Sequence, residues 1–194
     1  ELETVEVRLA SMPQARLGLL KVLSRSLVAA QFAREWAGYR NDVDIQVITE
    51  AAMLHEVAEI LVWLYAPSLA QRLQFMQHTY PHMRTRDFQK SILGITFNEL
   101  EVLIMNEWRL SNLLRKLVDD AHADTAQVRN VLLAVNLARH LANGKSDAAI
   151  PDDLAGVADL LHTSVEWVTE RVFPPPPEET PAVTRPVQPQ MGFA

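Results

Sequence analysis

Apolar residues recur at steps of three and four along most of the chain. Leu17, Leu20, Leu23, Leu27, Ala30, Ala33 and Ala37 mark one stripe, and the spacing predicts a long helix over 13–38 that Pro13 starts and Gly38 ends. Asn41, Asp42 and Asp44 offer cap oxygens for a second helix. On it Val47, Ala51, Leu54, Ala58, Leu61 and Tyr65 keep the period as far as Ala66, before Pro67. Pro67 opens a third helix that fades near His78, and a short one over 86–93 stops at Gly94. Thr96 and Glu99 have the spacing of a capping box, in which hydroxyl and carboxylate exchange hydrogen bonds with free backbone amides. The helix they open should reach about Trp108. Ser111 caps a helix running through Asp120, Thr125 one that ends at Gly144, and Pro151 with Asp152 and Asp153 one that ends near Leu161. Thr163 and Glu166 offer a second capping box before a last short helix. No stretch alternates with the β-branched enrichment and hairpin turns of a sheet. The pattern predicts an all-α domain of about eight or nine helices over 1–173.

Beyond that point the period is lost. Seven of the eleven prolines lie between Pro174 and Pro189. Proline lacks the amide that helices and ladders need, and the segment has too few apolar residues to offset its ordering entropy. A disordered, proline-rich tail over 174–194 is the expectation. Pro174–Pro177 satisfies a PxxP pattern, although such strings arise readily by chance.

Composition narrows the function classes. The 194 residues, 48% hydrophobic and 22% charged, suffice for one core. The absence of cysteine removes disulfides, thiol nucleophiles, zinc knuckles and iron–sulfur clusters. A net charge of −6 opposes the electrostatic attraction behind non-specific nucleic-acid binding, so no nucleic-acid partner is expected. No apolar run approaches the roughly 20 residues that cross a bilayer, and Glu1-Leu2-Glu3 lacks the parts of a signal peptide. A soluble, cytoplasmic chain with no membrane partner follows as an expectation. Opening on Glu1, not Met, it reads as a piece of a longer protein.

Isolated chemistry-bearing residues add little. His78 and His82 have helical ligand spacing, but Pro81 should break the helix between them. Asp119, Asp120, His122 and Asp124 fit a helix end and the cap that follows. His140 and His162 read as helix-end residues, and Trp36, Trp63, Trp108 and Trp167 as buried rings. There is no Gly-rich phosphate loop, no GxSxG elbow and no persuasive Ser-His-Asp set.

A set of motifs in fixed order says more. Residues 49–58, which include Leu54-His55-Glu56-Val57, are similar to an LLHDIG-type helix. Leu93-Gly94-Ile95-Thr96-Phe97 and Trp108-Arg109-Leu110-Ser111 look like LGxxH and WxLP elements. Val135 to Gly144 looks like a VxxADxLAxxG helix, and Ser26 and Ala30 fit a first-ligand helix. Together, over about 20–145, they resemble the HDOD domain, a bacterial signalling relative of the HD phosphohydrolases. The resemblance implies an HD-like helical fold and further helices upstream that this chain lacks, leaving apolar surface uncovered.

In HD phosphohydrolases an adjacent His-Asp pair, a second His and a late Asp hold a divalent cation that polarises water. Carried over by resemblance, Arg25 stands for the first His and His55-Glu56 for the His-Asp pair. Phe97 stands for a further His, Ala121-His122 for a His-His pair and Arg139 for the late Asp. Arginine has no acceptor and keeps its charge, so it repels a cation instead of ligating one. The resemblance thus implies a degenerate site with no metal, cofactor or catalytic residue. It points to a regulatory domain that acts by binding a protein partner, a fused signalling domain or a small ligand. Two arrangements suit the arginines. Either Arg25 and Arg139 hold Glu56 in a fork of hydrogen bonds, or Arg25, Arg139, His55 and His122 line a pocket for a phosphate-bearing small ligand. The rival from the enzyme class is a divergent phosphohydrolase using His55, Glu56 and His122.

Overall fold

The computed structural model describes residues 4–118 and 125–174. Among these the chain forms eleven helices and no strand. They are α1 (Val5–Arg8), α2 (Pro13–Tyr39), α3 (Ile45–Leu54), α4 (Val57–Tyr65), α5 (Pro67–Thr79) and α6 (Thr85–Leu93), followed by α7 (Phe97–Glu107), α8 (Asn112–Val118), α9 (Ala126–Asn143), α10 (Ile150–Leu161) and α11 (Val165–Val172). The all-α reading holds. The proline-rich tail and the end of the helix expected to run to Asp120 lie outside the described residues.

Local signals set most boundaries. Pro13 and Pro67 open α2 and α5, where a missing amide costs nothing. Thr96 Oγ1 accepts from the Glu99 amide at 3.2 Å while the Glu99 carboxylate accepts from the Thr96 amide at 2.9 Å, so the capping box is complete. Gly94 ends α6 at φ +75°, a left-handed conformation that strains any residue with a Cβ. At α11 the capping residue is Ser164, whose hydroxyl accepts from the Trp167 amide, and not Thr163. The single-turn α1 carries too short a pattern to be read from sequence.

Helix α2 is the axis of the domain and packs against α3, α4, α5 and α9. Its buried face keeps only part of the predicted stripe: Ala30, Ala33 and Ala37 are buried and Leu23 packs against the smaller core. Leu17, Leu20 and Leu27 are at least half exposed, whereas Ala15, Gly18, Leu19, Val22, Ser26, Ala29, Ala33, Trp36 and Ala37 are buried. Both sets have helical period and share Ala33 and Ala37, and it is the small residues among the buried ones, Ala29, Ala33 and Ala37 with Gly18 and Ser26, that let neighbouring helices approach closely. Asn130 of α9 sits near enough to donate to the Ala33 carbonyl at 3.2 Å.

Two apolar cores share this axis. Ala15, Leu19 and Val22 join Leu9, Val62, Trp63 and Ala70 in the smaller one. Ala29, Ala33, Trp36 and Ala37 join α3, α8, α9 and α10 in the larger. The second predicted helix divides at the same seam. Residues 47–65 form two helices, with a turn at His55 and Glu56, so that α3 serves the larger core and α4 the smaller. No proline or glycine marks the break; tertiary packing overrides a continuous local pattern. Of the four tryptophans expected to be buried, Trp36 and Trp63 are, Trp167 is only partly buried and Trp108 is 51% exposed.

Candidate functional site

The seam between the cores is charged. Arg25 projects from the middle of α2, between Val22 of one core and Ala29 of the other. Its Nε donates to Glu56 Oε1 at 3.1 Å and its Nη2 to Glu56 Oε2 at 2.5 Å, a two-bond fork. The same Nη2 reaches Glu59 Oε2 at 2.7 Å. From α9, Arg139 Nη2 donates to Glu56 Oε1 at 3.1 Å. Both oxygens of Glu56 therefore face guanidinium groups, and its side chain is only 4% exposed. His55, one residue earlier, places Nδ1 3.8 Å from Oε2 of the buried Glu101 on α7. Four parts of the chain, α2, the α3–α4 turn, α7 and α9, thus meet at adjoining charged groups.

The remaining candidate positions are spread out. Phe97 is the first residue of α7 and packs against the smaller core, its amide donating to Gln89 Oε1 at 3.0 Å. Ala121 and His122, with Asp119, Asp120 and Asp124, lie outside the described residues. His78 lies in the last turn of α5 and His82 follows Pro81 in the next loop, both exposed. His140 is more than a helix-end residue, since its Nδ1 lies 2.5 Å from Asp153 Oδ2 and ties α9 to α10. His162 ends α10 with φ +53°. Glu59 and Glu101 were not singled out by the sequence. The signal for Glu59 was its place three residues after Glu56, on the same helical face. Glu101, 2% exposed, is a carboxylate inside an apolar run, and nothing local marks it as buried.

The charges act on one another's proton affinity. Burial pushes the Glu56 carboxyl up, but Arg139 and Arg25 together outweigh it and hold the group below the ordinary 4.5. Burial raises Glu59; Arg25 draws it back, yet the neighbouring Glu56 charge adds to the rise. Burial lowers Arg25, and the Glu59 and Glu56 charges more than restore it. Glu56, with a folded value below its unfolded one, contributes stability above the ordinary glutamate range that is lost as pH falls through the folded value. Glu59, shifted upward, takes its proton above 4.5, so its ionisation opposes folding as pH rises through that window. Urea denaturation across about pH 3 to 7 should show the stability advantage of the native chain over Glu56→Gln shrinking below pH 4.5. An advantage that does not change with pH would contradict the assignment.

This donor set does not fit the divalent cation of HD-type enzymes. A cation on Glu56 would have to displace Arg25 and Arg139 from both carboxylate oxygens, and Arg25 offers no lone pair in place of an imidazole. Among the described residues no three His, Asp or Glu side chains gather where they could hold a metal ion.

Fold and site together define a helical domain built around a His-Glu turn between two packed cores. A scan against family models matches residues 4–124 to the HDOD domain, and the chain belongs to that family. The match begins before the first resembling motif and stops short of α9. Arg139 therefore joins the site by geometry and not by the matched span. Comparison with curated proteins and with solved structures gave no match. No helix among the described residues is long and apolar enough to cross a membrane.

Proposed function

We infer that this chain is a catalytically silent HDOD domain that regulates by contact, with a fused domain, a partner protein or a small ligand as its counterpart. A bacterial cytoplasmic setting belongs to the same reading. The observation that supports it most is the occupation of both Glu56 oxygens by Arg25 and Arg139. Catalysis of the HD kind needs a Lewis acid that polarises water beside phosphate. Two guanidiniums neutralise the carboxylate but generate no metal-bound hydroxide.

The arrangement suits a rigid scaffold. A buried charge pair favours one geometry, since separating Arg25 from Glu56 leaves a buried carboxylate less well compensated. Arg25 and Glu56 tie α2 to the α3–α4 turn, and the half-exposed Arg139 adds a weaker link to α9. Surfaces far from the seam are then presented in constant relative positions. The test is a hydrolysis screen of phosphodiesters and nucleotides with manganese, iron, zinc or magnesium supplied. No turnover above buffer is expected. Turnover that needs metal and disappears in His55→Ala would replace this reading with that of a divergent phosphohydrolase.

A further inference from the structure

A second feature, remote from the seam, involves α11 and the end of α2. Between them lies a cavity of about 280 Å³, lined by Phe32, Trp36, Tyr39, Trp167 and Arg171, with Glu35 at its edge. Its walls are aromatic. Phe32 and Trp36 stack with centroids 5.4 Å apart, Tyr39 tilts against Trp167 at 4.9 Å, and the Arg171 guanidinium lies 3.4 Å from the Trp167 ring centroid. Tyr39 is 51% exposed, so the groove presents ring surface to its occupant.

Aromatic grooves of this kind take polyproline II segments, because the prolines fill spaces between rings and arrive already ordered. The sequence directly behind the groove is rich in proline. Val172 lines the cavity, Phe173 caps α11, and the proline-rich residues begin at Pro174. Arg185 directly precedes Pro186-Val187-Gln188-Pro189, a PxxP unit that the four prolines after Phe173 do not offer with a cation attached. The dimensions agree. Phe32 and Tyr39 are separated by about 10 Å of helix rise, and a PxxP unit spans about 9 Å in the polyproline conformation. The twelve residues from Phe173 to Arg185 cover about 20 Å as a random coil, enough to turn back over α11. The charges agree as well. Glu35 is exposed and accepts a hydrogen bond from the neutral Gln31 at 3.0 Å, so it offers a carboxylate to Arg185.

We propose that the groove between α2 and α11 is a docking site for this chain's own proline-rich tail, with Pro186 and Pro189 against Phe32 and Tyr39 and Arg185 beside Glu35. Tethering places the segment at high local concentration, so contacts too weak to capture a free peptide suffice. An external proline-rich ligand would have to displace it.

The chain has no cysteine, which makes the test direct. A spin label on Gln190→Cys in the full chain should broaden the NMR signals of Tyr39 and of the Trp167 indole. Trp63 serves as the control. Its ring packs on Gly18, which precedes Phe32 by about 20 Å of helix, so its indole should stay sharp. Pro186→Gly with Pro189→Gly, changes that lie outside every helix described, should abolish the selective broadening, as should Glu35→Arg. Equal broadening at all four indoles, or none, would overturn the proposal. So would broadening that passes at full strength from a labelled chain to an isotope-enriched second copy, because the occupant would then be a neighbour's tail.

Discussion

Replacing Glu56 with glutamine is expected to destabilise the domain by about 3 kcal/mol, at the lower end of the range for removing one member of a buried ion pair. The substitution keeps the shape and one acceptor but removes the charge that two guanidiniums share. Arg25, 15% exposed, bears most of the consequence, although Glu59 stays beside it and limits the loss. Arg139 is 44% exposed and its charge is largely screened, so its share is small. Urea unfolding near neutral pH should show a lower midpoint with an unchanged slope. Glu59→Gln should cost less, because burial and the Glu56 charge already favour its protonated form. Equal losses in the two variants would mean that the carboxylates are not distinguished as described.

Trp63→Ala should cost about 3–5 kcal/mol, the usual range for deleting a buried aromatic ring. The ring is 3% exposed and fills the smaller core where α4 crosses α2. Gly18 is what admits it. A Cβ there would stand 2.4 Å from Cη2 and 2.5 Å from Cζ2 of Trp63. Gly18→Ala should therefore destabilise by about 1–3 kcal/mol through overpacking, against a helix-propensity gain of about 1 kcal/mol for alanine. The double variant gives the sharper check. With the ring gone the clash is gone, and Gly18→Ala should become neutral or stabilising in the Trp63→Ala background. A penalty of the same size in both backgrounds would place the strain elsewhere.

What the sequence made legible was chiefly local. Pro13, Pro67, Gly94, Thr96 with Glu99, and Thr125 act on backbone groups within a turn, and each marks a boundary close to the observed one. The division at His55 and Glu56 was hidden because it has no local cause. It answers to two cores that form only when α2 has neighbours on both. The buried face of α2 was legible at Ala30, Ala33 and Ala37 but not at Leu17, Leu20 and Leu27, for a related reason. Leucines and small residues both recur with helical period, and only the closeness of α3 and α9 decides between them. At the site, Arg25, Glu56 and Arg139 could be named through family resemblance although 83 residues separate Glu56 from Arg139. Glu59 and Glu101 could not, since a carboxylate's burial depends on partners that no short motif specifies.

Guanidinium groups hold both oxygens of the Glu56 carboxylate. Metal analysis of the full chain after exposure to manganese, iron, zinc and magnesium, then removal of unbound ions, tests this most directly. Far less than one ion per chain is predicted, with no difference between the native protein and Glu56→Gln. One tightly held ion per chain, lost in Glu56→Gln and in His55→Ala, would contradict it.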